Sequence, residues 1–403
     1  MGDPSLILND WLRLVLFEEE VLPPKLPSPA RATFIERCLV EDIAPLMYYR
    51  LKKRGFSHLL PEEDLKTLED FFLMNLGHNF HLRLASARIL QCLNERQIPH
   101  VLLKGLALSL FYYPHPATRR MTDVDILVRK EDLPVVDACL SDFGYLSVDS
   151  HLKEALRNPP GYLSSLEYHA PDGRPILHLH WHLVNTSVPF PVTIDYPLAD
   201  LWQTAKSVEI EGIPTFIPSP EHLMLHLAEH GLRINHSYDR LILIYDLYAV
   251  LQRERIDWDE LKKLASAAGL APFVFFSLVH LAYWDKTGLP SFIIEQFRPE
   301  TLSPAQRLYL YLANLDVRAR GLSYLIYLSL ARGGRRKVWL IGHSLFPPAG
   351  VGRQRLRDKS MPTWKIYGQR WREVALAIGR LLRLLLIRVG GRGARGPRRF
   401  SRD

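Results

Sequence analysis

Residues 101–128 read VLLKGLALSLFYYPHPATRRMTDVDILV, and the fold turns on this stretch. The apolar run Val101-Leu102-Leu103 suits a buried strand. Lys104-Gly105 then lets the backbone turn sharply into a helix whose free N–H groups can hold a phosphate. A second strand is expected over 123–128. Side chains alternate along a strand, so Asp123 and Asp125 share a face and can grip one hard cation while Val124, Ile126 and Val128 face the core. A solvated edge pair is the plainer alternative, but the apolar neighbours and the order of the surrounding elements favour metal ligation. Two carboxylates this close repel one another unless a cation joins them, so the pair by itself is expected to be poorly ordered.

This ordered set resembles the core of the polymerase-beta-type nucleotidyltransferase superfamily. It is more similar to a bacterial branch known only as nucleotidyltransferase family proteins, which has Leu-Lys-Gly where better-known members have Gly-Ser. The pattern matches at Leu103-Lys104-Gly105, at Arg119 four residues before the first acid, and at Asp123-Val124-Asp125-Ile126-Leu127-Val128. It continues at His180-Trp181 and through 221–251 with His226, His230, Arg240 and Asp246. With weaker similarity near Trp11 and at Phe346-Pro347, it spans most of 10–370. The resemblance implies an α+β fold, a small mixed sheet with helices flanked by helical N-terminal and C-terminal blocks. It also implies transfer of a nucleoside monophosphate from an NTP to an unidentified acceptor. Mg2+ or Mn2+ would sit on Asp123 and Asp125, with the phosphates near Lys104, Gly105 and Arg119.

One position departs from the pattern. The branch is expected to carry a third carboxylate two residues before His-Trp, and here that residue is His178. A histidine gives one nitrogen to a metal and less negative charge to Mg2+ than a carboxylate gives. His178 is therefore the candidate third ligand, with Glu167 or Asp149 as stand-ins. The alternative function is a non-catalytic nucleotide- or partner-binding protein with a degenerate third ligand, and a third reading is a membrane-peripheral accessory of polysaccharide assembly whose basic tail is the working part. His178, His180 and His182 share one strand face, where neighbours at i and i+2 can chelate one ion. The outer two lie roughly 13 Å apart, which disfavours a three-histidine site on this strand alone. His226 and His230 have helical metal-binding spacing without the His-Glu-x-x-His order, and a structural or substrate-side role is favoured.

Periodicity and breakers divide the chain into a helical block at 1–97, an α/β core at 98–217, a helical substrate-side block at 218–332 and a basic segment at 333–403. Strands are expected at 99–103, 123–128, 162–168 and 176–183, with a hairpin turn at Pro171-Asp172-Gly173-Arg174. A further strand segment at 207–216 should turn at Glu211-Gly212, and Ser219-Pro220 should cap a helix. A long helix, single or broken in two, is expected over 61–97, with Leu65, Leu68, Phe71, Phe72, Leu76, Phe80 and Leu84 on its apolar face.

With 47% hydrophobic and 10% aromatic residues, 403 residues can build sizeable cores, and disorder is excluded as the default. Cys38, Cys92 and Cys139 lie far apart without CxxC spacing, which argues against a zinc ribbon and a disulfide framework and fits a reducing cytoplasm. The N-terminus lacks a signal-peptide pattern, and no integral membrane segment is expected. Charge is uneven: 317–403 carries 21 Lys and Arg against 3 Asp and Glu, or +18, leaving 30 against 40, or −10, before it. Within that segment 371–389 reads as an Arg-studded apolar helix before a Gly/Arg-rich end. The segment suits an anionic membrane surface, such as the inner membrane, or a polyanion; a helix packed on the body with a solvated basic end is the alternative.

Overall fold

The computed structural model describes residues 4–18, 21–147, 156, 164–170, 176–184, 196–234, 236–286, 288–331, 333–346 and 361–390. Asp149, the turn at Pro171-Asp172-Gly173-Arg174, Arg332, Pro347 and the Gly/Arg-rich end lie outside the described residues.

Four helices open the chain: α1 (Pro4–Leu16), α2 (Ser28–Arg31), α3 (Phe34–Val40) and α4 (Ala44–Lys53), with the proline-rich stretch between the first two. A single long helix follows, α5 (Glu62–Glu95). Its buried face differs from the apolar face expected above. Leu68 is buried, but Leu76, Phe80 and Leu84 are exposed, and Asn75 and Asn79 point inward instead. The physical reason is hydrogen bonding: Asn75 Nδ2 donates to the carbonyl of Ala117 (2.6 Å), and Asn79 Nδ2 donates to those of Pro116 (2.7 Å) and Arg119 (2.8 Å). The two amides satisfy loop carbonyls that would otherwise be stranded away from water.

The core sheet has the order β1-β2-β5-β4-β3. β1 (His100–Leu102) runs antiparallel to β2 (Asp123–Val128), and the connection carries α6 (Lys104–Phe111). β2 pairs in parallel with β5 (Ile176–His180), which pairs antiparallel with β4 (Ser165–His169), which pairs with β3 (Leu146–Ser147). From Val124 onward β2 is buried on both faces, as suits an interior strand flanked by β1 and β5. Helix α7 (Leu133–Asp142) packs against α5.

After α8 (Leu198–Thr204), the hairpin β6 (Lys206–Ile210) and β7 (Ile213–Ile217) turns at Glu211 and Gly212, φ 53° and 75°, as the sequence led one to expect. It stands apart from the main sheet and packs on α5 and β1. Next come α9 (Pro220–Gly231), capped by Ser219, then α10 (Leu241–Leu251), α11 (Trp258–Ala267) and α12 (Ala271–Trp284). Further helices reach Gly334–Leu345, which packs on the terminal helix Thr363–Gly390. The chain is therefore a mixed α+β protein with one small mixed sheet.

Charge ties the N-terminal helices to the rest. Glu41 accepts from Arg318 (2.7 and 2.8 Å) and pairs with Arg37 (2.7 Å), while Asp42 is held by Arg120 (2.8 Å) and Arg240. Burial pushes the Glu41 carboxyl up, but the two guanidiniums outweigh it and hold the group below its usual range.

The cysteine spacing misled. Cys92 of α5 and Cys139 of α7 are joined by a disulfide, with Cα atoms 6.8 Å apart, and only Cys38 is free. The two cysteines are 47 residues apart, and only the packing of α7 on α5 brings them together. Cysteine usage accordingly lends no support to a reducing compartment. Among the described residues no helix is long and apolar enough to cross a membrane.

Candidate functional site

Asp125 sits on β2, with β1 on one side and β5 on the other. Its carbonyl accepts from Leu103 N–H (2.9 Å), which fixes the Lys104 turn beside it. Leu103 is extended and Lys104 opens α6 directly. Gly105 is an ordinary helical residue there: a Cβ on it would lie 3.6 Å from Arg119 Nη1 and from Met121 Sδ, which is normal contact. The sharp turn attributed to glycine is made by the residues before it.

Register brings the rest together. Asp125 lies opposite His178 across the parallel pair, and His178 lies opposite Glu167 across the antiparallel one, so the three form a row over three strands. Lys104 Nζ is 3.0 Å from Asp125 Oδ1, and His180 Nε2 donates to that oxygen at 2.8 Å. His178 Nδ1 is 3.1 Å from Asp123 Oδ2 and 3.7 Å from Asp125 Oδ1, while its Nε2 is 3.5 Å from Glu167 Oε2. Glu167 is also held by His169 Nε2.

The expected repulsion between the two carboxylates is present, since Asp125 raises Asp123, but the protein's own cations and hydrogen bonds answer Asp125. Burial raises the Asp125 carboxyl, but the Lys104 charge and hydrogen bonds from His178 and His180 hold it well below the usual range. Asp123 goes the other way, raised by burial and by the charge of Asp125. Burial opposes a proton on His178, yet hydrogen bonds to Asp125 and Glu167 outweigh it and push the group up to about 9. His180, fully enclosed, is pushed down to about 4 by burial. The site thus supplies its own cations. One atom is left over: Asp125 Oδ2 is buried with no hydrogen-bond partner.

Asp125, His178 and His180 each offer a ligand atom, all within 4.8 Å of one another. Alternation along the strand allows His178 and His180 to chelate one ion; that both reach Asp125 follows from the β2–β5 register, which alternation along one strand does not reveal. Asp123 lies beside this group, against His178.

Arg119 is committed elsewhere. Its Nε and Nη2 donate to Asp246 of α10, each at 2.8 Å, and Tyr113 OH donates to the same carboxylate at 2.6 Å. The guanidinium therefore fastens the loop before β2, with Nη1 beside Gly105. Arg240 is likewise paired, with Asp42. His226 on α9 is buried and His230, one turn on, is half-buried, with ring centroids 6.2 Å apart, and neither ring nitrogen of His226 has a hydrogen-bond partner. Burial lowers both well below the ordinary range, and the Lys104 charge acts on both in the same direction.

The comparisons with known proteins fall on this same stretch. A family model described as an uncharacterised nucleotidyltransferase matches residues 31–284, well over half the chain and every site residue named above. No curated protein matches.

Proposed function

The chain belongs to the uncharacterised nucleotidyltransferase family, and on that premise we propose that it transfers a nucleoside monophosphate from an NTP to an acceptor. The observation that carries the reading is Lys104 Nζ 3.0 Å from Asp125 Oδ1, at the turn where α6 begins and beside Asp123. The partnerless Asp125 Oδ2 suits a divalent cation, which Asp123, Asp125 and His178 would hold; as Mg2+ or Mn2+ it would neutralise triphosphate charge. Lys104 acts as a point charge for the phosphates, and the first N–H groups of α6, including that of Gly105, orient them. Arg119 holds the loop in place through Asp246 and turns only Nη1 toward that region. An acceptor oxygen forms a bond to the α-phosphorus, the α–β anhydride bond breaks, and pyrophosphate leaves. The block after Ser219 shapes the acceptor pocket.

The test is a thermal shift of the full chain with each of the four NTPs and Mg2+ or Mn2+. A ligand at 100 times its dissociation constant stabilises by about 2.7 kcal/mol. Stabilisation that needs both NTP and metal, with pyrophosphate released once an acceptor is supplied, is the expected result. No stabilisation by any NTP would sink the reading, and binding without turnover would favour the non-catalytic alternative that His178 raises.

The C-terminal helices add a place of action. Val338 and Ile341 on Gly334–Leu345 and Trp364 and Ile378 on the terminal helix are exposed alongside Lys337 and Arg372. Exposed apolar side chains among cations fit an anionic lipid surface. We take this to be the cytoplasmic face of a membrane, since that is where NTPs are available.

A further inference from the structure

We propose that Asp125, His178 and His180 form a resident site for a transition ion of the Zn2+ type, with Glu167 as the carboxylate that orients His178. The proposal deepens the nucleotidyltransferase reading, on which it rests for the ion's place beside the triphosphate.

The donor set carries the argument. Mg2+ demands oxygen ligands in near-ideal octahedral order, whereas imidazole nitrogens suit Zn2+, Co2+ and their neighbours. Two of the three clustered groups here are imidazoles, set two apart on β5, and the third is a carboxylate from β2 in register with them. A histidine that binds a metal usually gives its other ring N–H to a carboxylate, which fixes the ring and the tautomer. His178 has that partner: Nδ1 faces the aspartates, and Nε2 lies 3.5 Å from Glu167 Oε2, itself held by His169. Nothing in the triphosphate reading requires this second carboxylate. Lys104 engages Asp125 Oδ1, which leaves the partnerless Oδ2 for an ion, and His180 Nε2, 2.8 Å from Oδ1, would exchange its hydrogen bond to that oxygen for the ion. With the resident ion in place, His178 and Asp125 Oδ2 would belong to it, and the Mg2+ that arrives with a nucleotide would be held mainly by Asp123 and the phosphates.

The test is a Co2+ titration of the full chain without nucleotide, read by visible d–d absorption, followed by competition with Zn2+ and with Mg2+. Zn2+ should displace Co2+ at equimolar levels, and Mg2+ should not do so even in large excess. Glu167→Gln should weaken Co2+ binding by about 10- to 100-fold while leaving the circular dichroism spectrum unchanged. His178→Asp should shift preference toward Mg2+ and Mn2+. The inference is overturned if Mg2+ displaces Co2+ as readily as Zn2+ does, or if Co2+ affinity is the same in wild type and in both variants. The two readings separate cleanly. Mg2+-dependent NTP binding without a Co2+ site would end this proposal and leave the transferase standing, and a Co2+ site without NTP binding would do the reverse.

Discussion

Arg119 and Asp246, 127 positions apart, are joined by two N–H···O bonds of 2.8 Å, both groups being almost wholly buried. Breaking a buried pair from one side strands the other charge, at about 3–5 kcal/mol. Asp246→Ala should therefore lower unfolding stability by that order in urea titrations, and NTP binding should weaken with it as the loop before β2 loosens. A loss under about 1 kcal/mol would mean that water reaches the guanidinium and the pair is not the fastening described above.

This pairing also marks the limit of what the sequence discloses. The β2 strand, the turn at Glu211-Gly212 and the cap at Ser219 were all legible, because each depends on residues within a few positions. What failed depends on partners far along the chain. Phe80 and Leu84 look like core at helical spacing, yet the loop carbonyls around Pro116 required Asn75 and Asn79 on the inner face. Cys92 and Cys139 meet only because α7 packs on α5. The acidic pair was readable as a motif, but its charge balance was not, since His178 and His180 reach it through strand register and Lys104 from the first residue of α6.

His280 on α12 gives a pH test away from the site. Its Nε2 is 2.9 Å from Tyr309 OH, its ring packs 4.9 Å from that of Tyr238, and burial, aided by the Arg318 charge, pushes it down to about 3. The unfolded chain takes up this proton below about 6.5, and the folded chain takes it up only near 3. Its contribution is thus intact above pH 6.5 and is lost as pH falls, with a slope of up to about 1.4 kcal/mol per pH unit. His280→Gln keeps a polar partner for Tyr309 and removes the titration. Urea midpoints at pH 7 and 4.5 should fall less between the two pH values in the variant than in wild type. Equal falls would show that His280 is already protonated in the fold.

The C-terminal pair of helices should bind vesicles. Val338 and Trp364 are 71% and 70% exposed, apolar area that water disfavours and that lysine and arginine carry to an anionic surface. The full chain should sediment with vesicles containing phosphatidylserine and release as salt rises, whereas Val338→Glu with Ile378→Glu should stay in the supernatant. Equal sedimentation of both, or binding indifferent to salt, would remove the surface from the proposal. NTP binding should be the same in both proteins.

Asp123 and Asp125 should respond oppositely to loss of charge, although both belong to the proposed cation site. Asp125 is 1% exposed and answers Lys104 and His180 directly, so Asp125→Asn leaves a buried ammonium without its counter-charge, at about 3–5 kcal/mol. Asp123 is raised by burial and by its neighbour's charge, so Asp123→Asn relieves a repulsion and should be neutral or slightly stabilising without metal. Both single variants should nonetheless lose Mg2+-dependent NTP binding, because each removes an anionic ligand. Urea unfolding separates the first pair of expectations and calorimetric NTP titration tests the second. Equal destabilisation by the two changes would refute the opposite shifts of the two carboxyls. Retention of NTP affinity in Asp123→Asn and Asp125→Asn combined would make the pair structural, and the transferase reading would lose its physical support.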